Sequence, residues 1–216
     1  GERIALIGES GSGKTTFLKV VHGLYKNAKV NINIDGKLID GTFYDYDFGT
    51  MLVPQEPEMF SSSVRENITF GLEHSDKEIM KFTDLAHFTQ VIKDLPQGLD
   101  SIINEKGVNL SGGQKQRLAL ARALLFAQEK DIILLDESTS SVDSATEAKI
   151  YQDVSSFFVG KTIIASVHKL NLLKYFDRVV IFDKGKVADE GTFEDLLARN
   201  ETLKHSWEQY SQIERM

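Results

Sequence analysis

Cysteine is absent from the 216 residues. That excludes a disulfide framework and a thiolate metal site, and it permits a reducing compartment. Basic excess is also missing: 25 Lys and Arg stand against 32 Asp and Glu, a formal net charge of −7. A surface built for nucleic acid needs clustered cations to neutralise phosphates, so the balance argues against one. No apolar run approaches the ~20 residues that span a bilayer. The opening GERIALIGE lacks the long apolar core and small-residue cleavage site of a signal peptide. A membrane role is therefore expected to come through a partner or through a part of the protein outside this chain.

What is present suits one large α/β domain. A chain of this size buries roughly 70 to 75% of its extended surface without staples. Apolar runs at Ile4 to Ile7, Ile132 to Leu135, Ile163 to Ala165 and Val179 to Phe182 read as strands, several of them covered on both faces. After the first run, Phe17, Leu18, Val21 and Leu24 fall on one helical stripe, with Gly23 as a stop. VNINIDGKLID reads as a hairpin turning at Asp35-Gly36, and VVIFDKGKVADEG as another around Lys184-Gly185. From about Pro57 to Gln128 the pattern is mostly helical. Thr192 and Asp195 mark a helix start, and Leu203, Trp207, Tyr210 and Ile213 form a last stripe. Trp207 and Tyr210 read as helix packing, and Asp84, His87 and His74 as structural. The expected architecture is a mixed sheet with a core lobe of residues 1–56 and 129–216, interrupted by a helical subdomain of 57–128.

Two stretches carry chemistry. GESGSGKTT supplies Gly8, Glu9, Ser10, Gly11, Ser12, Gly13, Lys14, Thr15 and Thr16 between a strand and a helix, matching GxxxxGK[ST]. Its glycines let backbone N–H groups converge on an anion, and the following helix adds its positive end. Lys14 would reach the outer phosphates of a nucleotide, and the Thr15 hydroxyl would hold Mg2+. DIILLDES ends a buried strand in Asp136 and Glu137, placed for the crevice at the carboxyl end of a sheet. Asp136 would support Mg2+, and Glu137 would orient or deprotonate an attacking water. A strand ending in solvated acids is the plainer alternative. NLSGGQKQRLALARALL places Ser111, Gly112 and Gly113 at another helix start, a second anion site or a simple cap.

These stretches together resemble the ATP-binding cassette (ABC) ATPases along essentially the whole chain. Gly8 to Thr15 is similar to that family's Walker A loop, and Ile132 to Asp136 with Glu137 to its Walker B strand and catalytic glutamate. Leu110, Ser111, Gly112, Gly113 and Gln114 match its LSGGQ signature. Gln55 in VPQEPEMF resembles the Q-loop glutamine that senses Mg2+. Ser140, Ser141, Val142 and Asp143 resemble the D-loop, and His168 the switch histidine that contacts the γ-phosphate. The resemblance implies a P-loop NTPase (RecA-like) core and ATP hydrolysis with Mg2+ held by Thr15, Gln55 and Asp136. Lys14, Glu137 and His168 would carry catalysis. It also implies a head-to-tail dimer with a second such domain, identical or homologous. There the signature of one copy would cover the nucleotide of the other, and ATP would favour the closed state that touches it from both sides.

VPQEPEMFSSSVRENITFG and INEKGVNLSGGQ resemble the exporter subclass, which makes Ser61 to Asn67 and Glu105 to Gly107 candidate contacts with a membrane domain. The chain starts at Gly1, short of the upstream strands and the adenine-stacking aromatic usual in exporters. The expectation is a piece of a longer polypeptide fused to a transmembrane domain, at the cytoplasmic face of a membrane. IDGTFYDYDFGTM is shorter and more acidic and aromatic than usual, and Lys169 replaces an arginine common after the switch histidine. Two other readings stay open: a soluble family member acting on nucleic acid or ribosomes, and a regulatory cassette that binds nucleotide without hydrolysing it.

Overall fold

The computed structural model describes residues 1–213 apart from 35, 40, 46 and 47. In chain order it runs β1 (Arg3–Ile7), α1 (Lys14–Val21), β2 (Ile32–Ile34), β3 (Lys37–Ile39) and β4 (Thr50–Val53). Then come β5 (Ser62–Ser63), α2 (Val64–Thr69), α3 (Asp76–Leu85), α4 (Thr89–Asp94), β6 (Ile102–Ile103) and α5 (Gly112–Phe126). The chain closes with β7 (Ile132–Asp136), α6 (Ser144–Phe157), β8 (Thr162–Ser166), β9 (Arg178–Asp183), β10 (Lys186–Gly191), α7 (Phe193–Arg199) and α8 (Glu201–Ile213). Six strands form the main sheet in the order β10-β9-β1-β8-β7-β4. All neighbours are parallel except β9 and β10.

The continuous apolar runs follow from burial on both faces. Side chains alternate across a strand, so a strand without a wet face needs apolar residues at every position. Ala5 and Ile7 of β1, Ile133 and Leu135 of β7, and Ile163 and Ala165 of β8 enter the large core with α5 and α6. Leu6, Leu134 and Ile164 enter a second core beneath α1, with Leu18, Val21, Val180 and Phe182.

The α1 stripe is narrower than its sequence suggests. Leu18 and Val21 are buried, whereas Phe17 is partly exposed against the Phe182 ring. Leu24 lies beyond the helix end, past Gly23 at φ 81°, and is exposed. β9 and β10 turn on Lys184 and Gly185, both at positive φ, as expected. β2 pairs with β3, while Asp35 of the expected turn lies outside the described residues, as does part of the acidic and aromatic run at 39–51. Trp207 packs edge-on against Phe193 and stacks with Tyr210.

Between β4 and β7 the chain is mostly helical, with one element that the pattern hides: β5 and β6 pair antiparallel, two residues each. Ser63 ends β5 and caps α2. Its hydroxyl accepts from the Glu66 amide at 3.1 Å, and the Glu66 carboxylate accepts from the Ser63 amide at 3.0 Å. Val64 and Asn67 are fully buried, which corrects the expectation that the whole of 61–67 faces a partner. Asn67 instead accepts from the Phe60 amide and donates to the Phe60 carbonyl, both at 2.9 Å. His74 pairs with Glu78 and His87 with Asp153.

Candidate functional site

Four neighbouring parallel strands end at one edge of the sheet, and each delivers marked residues there. β1 runs into the Gly8–Thr16 loop, β8 leads to His168, β7 ends at Asp136 and Glu137, and β4 leads to Gln55. Sequence separation is large, but register makes them adjacent, with Val53 beside Leu135 and Asp136 beside Ser166. The carboxyl edge of such a sheet is where α/β proteins form a ligand crevice.

The loop after β1 depends on glycine at specific points. A methyl group on Gly8 would lie 2.3 Å from the Phe182 carbonyl oxygen, and Gly8 sits at φ 144°. Gly13 caps α1 at φ 109°, where a side chain would be strained. Lys14 is buried, and its ammonium donates to the carbonyls of Gly8 at 2.8 Å and Glu9 at 3.1 Å. Glu9, Ser10, Gly11 and Thr16 are exposed around it, and Ser12 is buried. Thr15, one residue into α1, donates to Asp136 Oδ1 at 2.9 Å and so ties the loop to β7.

Asp136 is 2% exposed. Burial pushes its carboxyl above the usual range, the Thr15 hydrogen bond pulls it part of the way back, and the Glu137 charge pushes it up again. Glu137 has φ 48°, a left-handed backbone that is uncommon outside glycine and that directs the chain out of the strand. Its carboxylate accepts from Gln55 Nε2 at 2.7 Å and lies 2.5 Å from His168 Nε2. Two residues distant from each other in sequence thus meet on the Glu137 carboxylate.

The signature turn and the loop after β7 form a second unit. Ser111 caps α5 by accepting from the Gln114 amide at 3.2 Å, and Gln114 Oε1 accepts from the Ser111 amide at 2.8 Å. Leu110 is buried, while Ser111 and Gly112 are exposed. A methyl group on Gly113 would lie 2.7 Å from the Ser141 carbonyl oxygen, so this turn needs glycine to pack on Ser141. Gln116, one turn further, donates to Ser140 Oγ at 2.9 Å and accepts from the Ser141 amide at 2.8 Å. Val142 is buried. Asp143 caps α6 by accepting from the Thr146 amide at 2.9 Å, and that bonding holds its carboxyl below the usual range.

Sequence reasoning missed Gln116, Thr139 and Glu147. Glu147 was findable: it lies at helical spacing with Ile150, Tyr151 and Val154, and all four are buried. A carboxylate on an apolar stripe needs a partner, and the structure supplies Lys169, Nζ to Oε2 at 2.7 Å. Among the described residues there is no group of three or more His, Asp or Glu that could hold a metal on its own, and no helix is long and apolar enough to cross a membrane.

Comparison with known proteins gives a consistent set of matches. A family model described as ABC transporter matches residues 1–140. The chain is 38% identical over 210 residues to the "Probable multidrug resistance ABC transporter ATP-binding/permease protein YheI" of Bacillus subtilis (strain 168), covering 96% of this chain and 36% of that protein. It is 35% identical over 207 residues to the "Heterocyst differentiation ATP-binding protein HepA" of Nostoc sp., covering 94% and 33%. A solved bacterial Atm1-family ABC exporter with ATP bound superposes with a TM-score of 0.85 at 31% identity, covering 97% of this chain and 37% of that one. The chain spans about a third of the length of these relatives.

Proposed function

Since the chain belongs to the ABC transporter family, as its ATP-binding and ATP-hydrolysing domain, we propose that it drives export across a membrane by clamping ATP between two such domains. The observation that carries this is the Glu137 carboxylate, held by Gln55 and His168 beside a loop shaped for phosphate. Glu137 accepts a proton from water as the water oxygen bonds to the γ-phosphorus, and the bond from phosphorus to the β-γ bridging oxygen breaks to release ADP. His168 orients Glu137 and the γ-phosphate. Lys14 and the amides of residues 8–16 neutralise the outer phosphates.

Mg2+ fits the oxygens available. Thr15 Oγ1, the Asp136 carboxylate and the Gln55 side-chain carbonyl are hard donors, and among the described residues Asp136 forms no ion pair. When bound, the ion neutralises charge on the β- and γ-phosphate oxygens.

The exposed, capped start of α5 supports a head-to-tail dimer. Ser111, Gly112 and the helix's positive end face outward, where the γ-phosphate on a second copy can meet them. Residues 140–143, packed against this turn, are presented with it. In this reading residues 1–56 and 129–216 form the core lobe and 57–128 the helical lobe. The full protein carries a fused transmembrane domain, which places this domain at the cytoplasmic face. Ser61, Arg65, Glu66, Glu105 and Lys106, with the exposed rings of Phe60 and Phe70, form the surface for that domain.

Glu137→Gln tests the reading. The variant should bind ATP but hydrolyse it about 100-fold more slowly, and ATP should leave it as a stable dimer by light scattering. Hydrolysis at the native rate removes Glu137 from the role of base.

A further inference from the structure

Lys169 follows His168 directly, and its ammonium has two partners. It forms an ion pair with Glu147 Oε2 at 2.7 Å and donates a hydrogen bond to the Val142 carbonyl, also at 2.7 Å. The other oxygen of Glu147 accepts from the Thr139 hydroxyl at 2.6 Å. Thr139 stands two residues beyond Glu137, and Val142 lies in the loop that packs on the signature turn. One buried carboxylate, 4% exposed, therefore accepts a hydrogen bond from the chain leaving β7 and forms an ion pair with the chain leaving β8.

We infer that Lys169 and Glu147 are positioning residues for hydrolysis: their bridge sets where His168 meets Glu137 and fixes the 139–143 loop to the same frame. The inference rests on the ATPase reading above. Two considerations favour geometry over stability as the role of the pair. A buried ion pair is often replaceable by apolar residues without loss of stability, and Glu147 occupies a position where Ile150, Tyr151 and Val154 show that an apolar residue fits. Its partners, moreover, are the two segments whose ends form the 2.5 Å contact between His168 and Glu137. A shift of either segment changes that contact first, because the partners of the pair, Thr139 and Val142, lie outside the Gly8–Thr16 loop.

The test uses the full-length protein with Lys169→Met, Lys169→Arg and Glu147→Gln. Lys169→Met keeps the aliphatic stem and removes the charge. It and Glu147→Gln should lower kcat about 10- to 100-fold with KM for ATP within about twofold, since orientation is lost and binding is retained. Lys169→Arg should stay within about threefold of native, because a guanidinium can bond both acceptors. The Lys169→Met/Glu147→Gln double variant should be no slower than the worse single variant, because both remove one interaction. The His168 imidazole NMR resonances should move in Lys169→Met and return in Lys169→Arg. A native kcat in folded Lys169→Met, equal losses in Lys169→Met and Lys169→Arg, or unmoved His168 resonances would overturn the inference while native hydrolysis persists. Absence of hydrolysis in the native protein would instead sink the ATPase reading and this bridge with it.

Discussion

At the scale of single residues, Gly112 and Gly113 are neighbours with different demands. A methyl group on Gly112 meets Ser141 Oγ at 3.4 Å, a contact that a rotatable hydroxyl can relieve. On Gly113 it meets the Ser141 backbone oxygen at 2.7 Å, which only main-chain movement can relieve. Gly113→Ala should therefore cost about 1–3 kcal/mol, the usual range for overpacking, and Gly112→Ala distinctly less. Urea denaturation of both variants checks this, with equal losses as the contrary result. The left-handed Glu137 shows the same dependence on local geometry, because its backbone directs the carboxylate toward Gln55 and His168.

At the scale of elements, the capping box at the start of α2 serves two structures. Ser63 ends the short β5–β6 pairing and accepts the Glu66 amide in the first turn of the helix. Ser63→Ala should cost about 1 kcal/mol, as loss of a helix cap does, measured by thermal or urea melting; no loss would mean that water replaces the hydroxyl. The strands were the most legible elements, because burial on both faces demands unbroken apolar runs such as IILL. The two-residue strands β5 and β6 were not legible, since two residues carry no periodicity. Phe17 and Leu24 misled for a related reason: helical spacing marks a face, but only tertiary contact decides how wide that face is and where the helix stops. In the site, glycine spacing and paired acids stood out within short windows. The Glu147–Lys169 bridge joins a residue of α6 to the exit of β8, and no local pattern shows that join.

At the scale of the whole molecule, the N-terminal strand is fastened by charge as well as by the sheet. The Arg3 amide and Nε donate to Asp177 Oδ2 at 2.8 and 2.9 Å, and its terminal nitrogen reaches Oδ1. That guanidinium holds the Asp177 carboxyl below its ordinary value. A carboxyl depressed in the folded state stabilises the fold above the unfolded value, about 3.9, and that contribution disappears as pH falls through the folded value. Asp177→Asn should therefore be less stable than native at neutral pH, with the gap closing below about pH 4. Urea melts at pH 7 and pH 3 measure it, and a gap independent of pH would assign the loss to packing.

The length of α5 has a mechanical consequence. Its 15 residues form an unbroken rod of about 22 Å, with Leu118, Leu120 and Leu124 embedded along the inner stretch and Ser111 exposed at the tip. Each degree by which the embedded end tilts swings the tip by about 0.4 Å. A tilt of about 8° sweeps it roughly 3 Å, the span of one hydrogen bond, so a small rocking of the rod's base suffices to engage or release whatever faces Ser111.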